Sequence, residues 1–410
     1  MTMAVADGAA DAAAGRAVFI NRRDPPAWRT LSPGPSAQFE LGLQVFNTSW
    51  VVAGTRNAPR IDGLGPQFVS DSCDSCHNNG TRGRAAAADG LPASFVMQLG
   101  GPGTERYGNV LNTAAIDGHL PEGRVRVRWS LRDHQYADGA RVQLRVPRYE
   151  LEELTLGPMP GRTVLRPRIA PAVFGSGLLE QVPLESLRRL RRGQAREVRG
   201  QLPSGRFGWQ AEAMDLTDQT ARAFAREMGL TSGVHPADDC TPAQMACREA
   251  PQGGSPEVPA ELFQAVLTFQ RELAVPARGT VDAASDTAGR ALFTATGCAA
   301  CHVPVLEARV EGQPVRIEPF TDLLLHDLGE DLADRDLLGR AVKTMWRTAP
   351  LWGMAHAHRL GGIALLHDGR ARSVEEAILW HGGQATAARR AFAALPEDLR
   401  HLLLRWVESL

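Results

Sequence analysis

Two short runs hold residue types that could do chemistry. Cys73, Cys76 and His77 form a C-x-x-C-H in "CDSCH", and Cys298, Cys301 and His302 form another in "GCAACH". The pattern allows a covalently held c-type haem, a zinc knuckle or a redox dithiol. For a haem, cysteines at i and i+3 place both sulfurs on one side of a helical turn, where they add across the vinyl groups as thioethers. The following histidine then lies under the iron as an axial ligand. Zinc needs a second ligand pair roughly 12–20 residues away, yet the two runs lie in opposite halves of the chain. A dithiol usually sits beside a βαβ pattern, which neither run has, and it leaves the repeated histidine unexplained. The spacing therefore favours two c-type haems with His77 and His302 as proximal ligands, and zinc and dithiol stay as alternatives.

The opposite face of each iron decides what it can do. A second protein ligand makes the haem an electron relay, whereas an open or displaceable position permits peroxide chemistry. For the second haem, His381 lies on one helical face with Val374, Ala377 and Ile378. A satisfied core histidine is the competing reading, and His367 and Met354 are competing ligands. For the first haem no distal ligand stands out. Met97, His119 and His134 are candidates, and so is an open site.

These residues need elements to hold them. Phe39, Leu43 and Phe46 recur at helical spacing over residues 36–46, with Ser36 as a cap, ahead of the first run. Ser285, Leu292 and Phe293 repeat that grammar more tightly ahead of the second, as a distant duplication would. Between them, Val125, Val127, Trp129 and Leu131 alternate with polar residues, as do Val142, Leu144 and Val146, with Asp138-Gly139 as a turn signal. This predicts a hairpin inserted in the first domain. Helices are expected over 218–228, capped by Thr217 and stopped by Gly229, and along the Leu262, Val266, Phe269, Leu273 stripe. Residues 274–280 read as a linker. Ser373 and Glu376 fit a capping box, Gly382-Gly383 ends that helix, and Pro396 opens a last amphipathic helix through Trp406.

The resulting expectation is a mainly α chain with two cytochrome c-like haem domains, residues 1–274 with the β insertion and residues 281–410. The length, 410 residues, suits two cores. A net charge of −1 excludes nucleic-acid binding by bulk electrostatics, and no apolar run reaches the ~18 residues of a membrane span. Of six cysteines, Cys240 and Cys247 lie outside the two runs. They read most simply as a disulfide closing a small loop in an oxidising compartment, with free thiols or a regulatory pair as the alternative. Haem attachment likewise implies a periplasmic site, although residues 1–26 lack the basic start and compact apolar stretch of an export signal.

Several unusual segments carry a resemblance: "DGLGPQFVSDSCDSCHNNGTRGR", "RIAPAVFGSGLLEQVP", "GCAACHVPVL", "FTDLLLHDLGEDLAD", "WRTAPLWGM" and "LLHDGRARSVEEAILWHGG". From about Asp62 onward the chain resembles the bacterial di-haem oxidoreductases, peroxidase-like proteins also labelled thiol oxidoreductases. These are more distantly similar to di-haem cytochrome c peroxidases and to the di-haem enzyme that matures a tryptophan-derived cofactor. The resemblance implies two covalent haems, with an inter-haem calcium in some relatives. It puts His381 at the position of the axial ligand of the C-terminal haem, which is Met or Tyr in those relatives. It also implies peroxide reduction at the Cys73/Cys76/His77 haem, electrons relayed through the other, and a small cytochrome or cupredoxin as donor. Glu105 and Glu122 are candidates for an acidic distal residue, and Trp346 and Trp352 for a tryptophan between the haems. The alternative function is pure electron transfer without peroxidase activity.

Overall fold

The computed structural model describes residues 26–56, 61–83, 90–91, 94–360 and 363–410. The reading of the amino terminus falls largely outside them. The chain is not mainly α: 35% of it is helix and 19% strand, spread over several sheets. The largest sheet among the described residues is antiparallel, in the order Ala341–Lys343, Asp334–Asp336, Val164–Ile169, Phe95–Gly100. Strands of three to six residues such as these contain too few alternations for a period of two to show, and Asp334–Asp336 holds charged residues on both faces.

The long hairpin is as its alternation predicts. Arg124–Gln135 pairs with Arg141–Glu152 in unbroken antiparallel register from Arg124↔Glu152 to Gln135↔Arg141. Its outer face is a ladder of exposed ion pairs, Arg126 with Glu152 and Arg128 with Glu150, each contributing little on its own. Its tip reaches the C-terminal helices: Tyr136 Oη donates to Glu375 Oε1 at 2.9 Å, and Arg400 Nη2 donates to Asp138 Oδ2 at 2.6 Å.

Three helices begin earlier than their caps suggested. Pro33–Asn47 starts after Ser32, not Ser36, because a proline fits the first turn, where its missing N–H costs nothing. Asp215 caps Leu216–Glu227 by accepting from Asp218 N, and Asp282 caps Ala283–Ala295 by accepting from Ser285 N. Residues 274–280 are anchored on the protein. Ala274 and Val275 are buried, and Gly279 N donates to Ser409 O at 2.7 Å.

The closing helix Glu397–Glu408 packs Leu403, Trp406 and Val407 inward against Ala283–Ala295, the helix that leads into the second motif. Gly289 permits this approach, since a Cβ there would lie 2.2 Å from Trp406 Cγ. Trp406 is held in place by donating Nε1–H to Asp286 Oδ1 at 2.8 Å. Gly289→Ala is therefore expected to destabilise the protein by about 1–3 kcal/mol through overpacking, read as a lower urea midpoint with an unchanged slope.

Candidate haem sites

The second motif follows the Ala283–Ala295 helix through Gly297, whose φ of +86° turns the chain where a side chain would be strained. Cys298–Ala300 forms a 3-10 turn, and His302 N donates to Cys298 O at 3.0 Å. Gln194 clamps this turn by donating Nε2–H to Ala300 O at 2.9 Å. His302 Nδ1 lies 3.0 Å from the carbonyl of Phe320, a residue in left-handed backbone at φ +54°. Such a conformation costs about 1–3 kcal/mol and persists only where its surroundings hold it. With the proton on Nδ1 and shared with that carbonyl, Nε2 is left as a lone pair.

His381 has the same arrangement. It caps the C-terminus of Val374–Trp380, and its Nδ1 lies 2.6 Å from Ala377 O. Ser373 caps the other end of this helix through Glu376 N, as the capping box predicts, while the Glu376 carboxylate accepts from Arg372 N. His302 and His381 line one cavity of about 450 Å³ together with Cys298, Cys301, Met354 and His367. That volume lies within the roughly 300–1,000 Å³ of cofactor pockets. All three proposed distal ligands of the second site therefore face the same space. Burial first, and the neighbouring His381 second, push the His302 pKa down to about 4. Burial also lowers His381. Neutral imidazoles are the form that ligates a metal.

The first motif is a single helical turn, Cys73–Cys76, with His77 N donating to Cys73 O at 2.8 Å. His77 Nδ1 lies 2.8 Å from Pro171 O, and burial lowers its pKa. Its ring tilts over Phe46 at 6.3 Å between centroids. Cys73 packs against the apolar cluster that includes Phe46, Phe174 and Trp352. All three motif-related histidines thus share one device: Nδ1 pinned to a backbone carbonyl, Nε2 left for a ligand. This is how the ring nitrogen opposite a metal is commonly fixed. In donor chemistry, ring orientation and cavity size, the residues around the second motif fit a haem.

The thiols are protonated. Burial, with Glu227 next, pushes Cys73 up to about 12 and Cys76 to about 11, and burial followed by Asp322 pushes Cys301 up to about 12. Buried thiols of this kind are poor redox nucleophiles. Cys301, Asp322 and His326 bring three donor atoms within 4.8 Å. However, Asp322 Oδ2 already takes Gln194 Nε2 at 2.7 Å and His326 Nε2 at 2.8 Å, and its Oδ1 takes Leu324 N at 2.9 Å. The Asp322–His326 pair is thus a brace for the Cys301 turn.

Other candidates lie elsewhere. Met97 is in the core with Leu99, Tyr107 and Leu111. His134 meets Tyr136 edge-on at the hairpin tip. Glu105 is exposed. Glu122 is fully buried and bonds Gln244 and the Asn112 amide. Trp352 belongs to the core, whereas Trp346 lines the cavity, stacked on His367 at 3.8 Å. Cys240 and Cys247 are joined by a disulfide, with Cα atoms 5.9 Å apart. Spacing gave no sign of Gln194, Asp322, His326 or Glu227. A search for partners of the motif residues in "FTDLLLHD" would have raised Asp322 and His326, which sit four residues apart.

Comparison with known proteins places the chain in the class of haem oxidoreductases. It belongs to the di-haem oxidoreductase family: the family described as "Di-haem oxidoreductase, putative peroxidase" matches residues 197–410. This range contains the second motif and His381, and it ends short of the first motif. No curated protein sequence matches the chain. Among solved structures it is similar to Kuenenia stuttgartiensis hydrazine synthase pressurised with 20 bar xenon. The identity is 13%, 95% of each chain is covered and the TM-score is 0.38, too distant to define a shared fold.

Proposed function

We propose that this chain is a periplasmic di-haem c-type oxidoreductase that reduces peroxide or a related small oxidant. Cys73 and Cys76, and Cys298 and Cys301, would hold the two haems as thioethers, with His77 and His302 as proximal ligands. His381 would be the second ligand at the C-terminal site. Haem, when bound, would supply the iron at which an oxidant is reduced, with the electrons drawn from the redox-protein donor. The carrying observation is the shared geometry of His302 and His381: both line one cavity with Nδ1 tied back to a carbonyl. A site closed by two imidazoles suits electron entry from a small cytochrome or cupredoxin. The Cys73/Cys76/His77 site, where no second ligand is paired with His77 among the described residues, suits the oxidant. The protonated thiols favour thioether attachment over a redox dithiol. An inter-haem calcium stays a secondary proposal. No helix among the described residues is long and apolar enough to cross a membrane.

Electron paramagnetic resonance of the unmutated protein and His381→Ala tests this reading. One low-spin signal should become high-spin in the variant while the other signal persists. Unchanged spectra would remove His381 from the iron. Carbon monoxide should bind the reduced unmutated protein at one haem; binding at neither would favour pure electron transfer.

A further inference from the structure

Among the described residues, two cations in the wall of the cavity have no ion-pair partner. Arg82 and Arg347 both line it, along with Cys298, Cys301, His302 and His381. Arg347 donates Nε–H to Gly208 O at 3.1 Å, but its Nη1 is buried without a partner. Glu212 is the carboxylate whose charge it feels, without forming an ion pair, and Arg206 opposes that effect. The Arg82 guanidinium makes no hydrogen bond or ion pair with a described residue. Burial alone pushes its pKa down to about 10, and burial leads the same shift, to about 10, at Arg347. Two more lining groups, Trp346 Nε1 and His367 Nε2, are buried without a hydrogen bond, with Asp368 Oδ2 lying 4.0 Å from His367 Nε2.

Arg82 and Arg347 are each half-buried where they face the cavity, and a charge drawn even partly out of water without a partner is costly, which favours an occupant that pairs with it. The occupant of this cavity should therefore bring negative charge to the two arginines. A guanidinium presents a planar fork of donors that matches a carboxylate. A haem held at Cys298, Cys301 and His302 carries two propionate carboxylates and little other charge at its edge.

We infer that Arg82 and Arg347 clamp the propionate carboxylates of the haem held by Cys298, Cys301 and His302. This rests on the haem reading above. Arg82 follows His77 by only five residues in the sequence, so the segment bearing the first motif supplies part of the second haem's pocket. A clamp of this kind ties the two sites together through a charge, beyond their packing.

The test uses the mature protein and the variants Arg82→Leu, Arg347→Leu, Arg347→Gln and Arg347→Lys. Pyridine haemochrome spectra first count covalent haems; their absence from the unmutated protein overturns the haem reading, and the clamp with it. In loaded Leu variants, spectroelectrochemistry should show the midpoint potential of one haem shifted downward and the other unmoved, because removal of a nearby positive charge favours ferric iron. The propionate bending bands in resonance Raman spectra should shift with it. Arg347→Gln should reproduce the Leu result if Leu impairs folding, and Arg347→Lys should restore most of the potential. Loaded variants with unchanged potentials and propionate bands would overturn the clamp. So would a spectral response to added formate that the Leu variants abolish while the propionate bands stay fixed, which would assign the arginines to a free carboxylate.

Discussion

Replacing Cys298 and Cys301 together by alanine is expected to remove one of two covalent haems. The pyridine haemochrome absorbance per chain should fall by half, and the intact mass should fall by one haem. Both sulfurs come from one 3-10 turn braced by Gln194 and the Asp322–His326 pair, so no other described thiol can substitute. The loss should extend to stability. The cavity of about 450 Å³ lies between Ala283–Ala295, Val374–Trp380 and the closing helix, whose residues Phe293, Ile378 and Leu403 line it. A covalently held haem stays with the unfolded chain, but only the folded state buries its apolar faces and offers it the axial histidines, so the thermal midpoint should drop well below that of the unmutated protein. A full complement of haem in this variant would overturn the thioether assignment at the second motif. The control is Cys240→Ala with Cys247→Ala. Opening a loop with a sequence separation of 7 should cost about 2–3 kcal/mol by the chain-entropy estimate and leave the haem count unchanged.

How far the sequence alone reached depended on whether a signal was local. The motif cysteines and histidines stand out in the sequence because the proposed thioether attachment would dictate their spacing within five residues. Helix periodicity put His381 beside Val374, Ala377 and Ile378, the resemblance put it at an axial-ligand position, and the structure sets it in the same cavity as His302. The long hairpin was legible because each of its strands spans 12 residues, enough for alternation to show. The small sheets were not. Asp334–Asp336 reads "DRD" and pairs with residues far away in sequence at Val164 and Leu165, so its strand character comes from tertiary hydrogen bonds. The arginines of the cavity were illegible for a similar reason. Arg82 and Arg347 meet one space only because the chain folds back, and nothing in "GTRGR" or "MWRTAP" distinguishes them from surface arginines. The caps failed by a few residues because Ser36 and Ser285 are good caps in isolation, yet Ser32 and Asp282 precede them.

Asp334→Asn is expected to be among the most damaging single substitutions away from the motifs, costing about 3–5 kcal/mol. The Asp334 side chain is wholly inaccessible and that of Arg168 nearly so. They meet in a bidentate pair, Nη1 to Oδ1 and Nη2 to Oδ2, each at 2.8 Å, and Gln210 Nε2 also donates to Oδ2 at 3.2 Å. Asparagine keeps one acceptor oxygen but no charge, and its amide N–H2 would face a guanidinium donor, so the buried Arg168 is left without a counter-charge, with the Pro167 carbonyl at 3.0 Å as its other acceptor. The loss should spread to the cavity wall, because the Arg168 guanidinium lies 4.9 Å from the Trp346 ring centroid and that ring stacks on His367. The double replacement Asp334→Leu with Arg168→Met separates two explanations. If the cost of Asp334→Asn is that of a stranded cation, the double variant should recover most of the lost stability, since apolar residues of similar volume replace buried ion pairs at little cost. If the pair is needed to join Val164–Ile169 to Asp334–Asp336, the double variant should remain as unstable as the single one. Urea unfolding of the three proteins at equal haem content reads the difference directly, and a single variant within about 1 kcal/mol of the unmutated protein would contradict the burial argument.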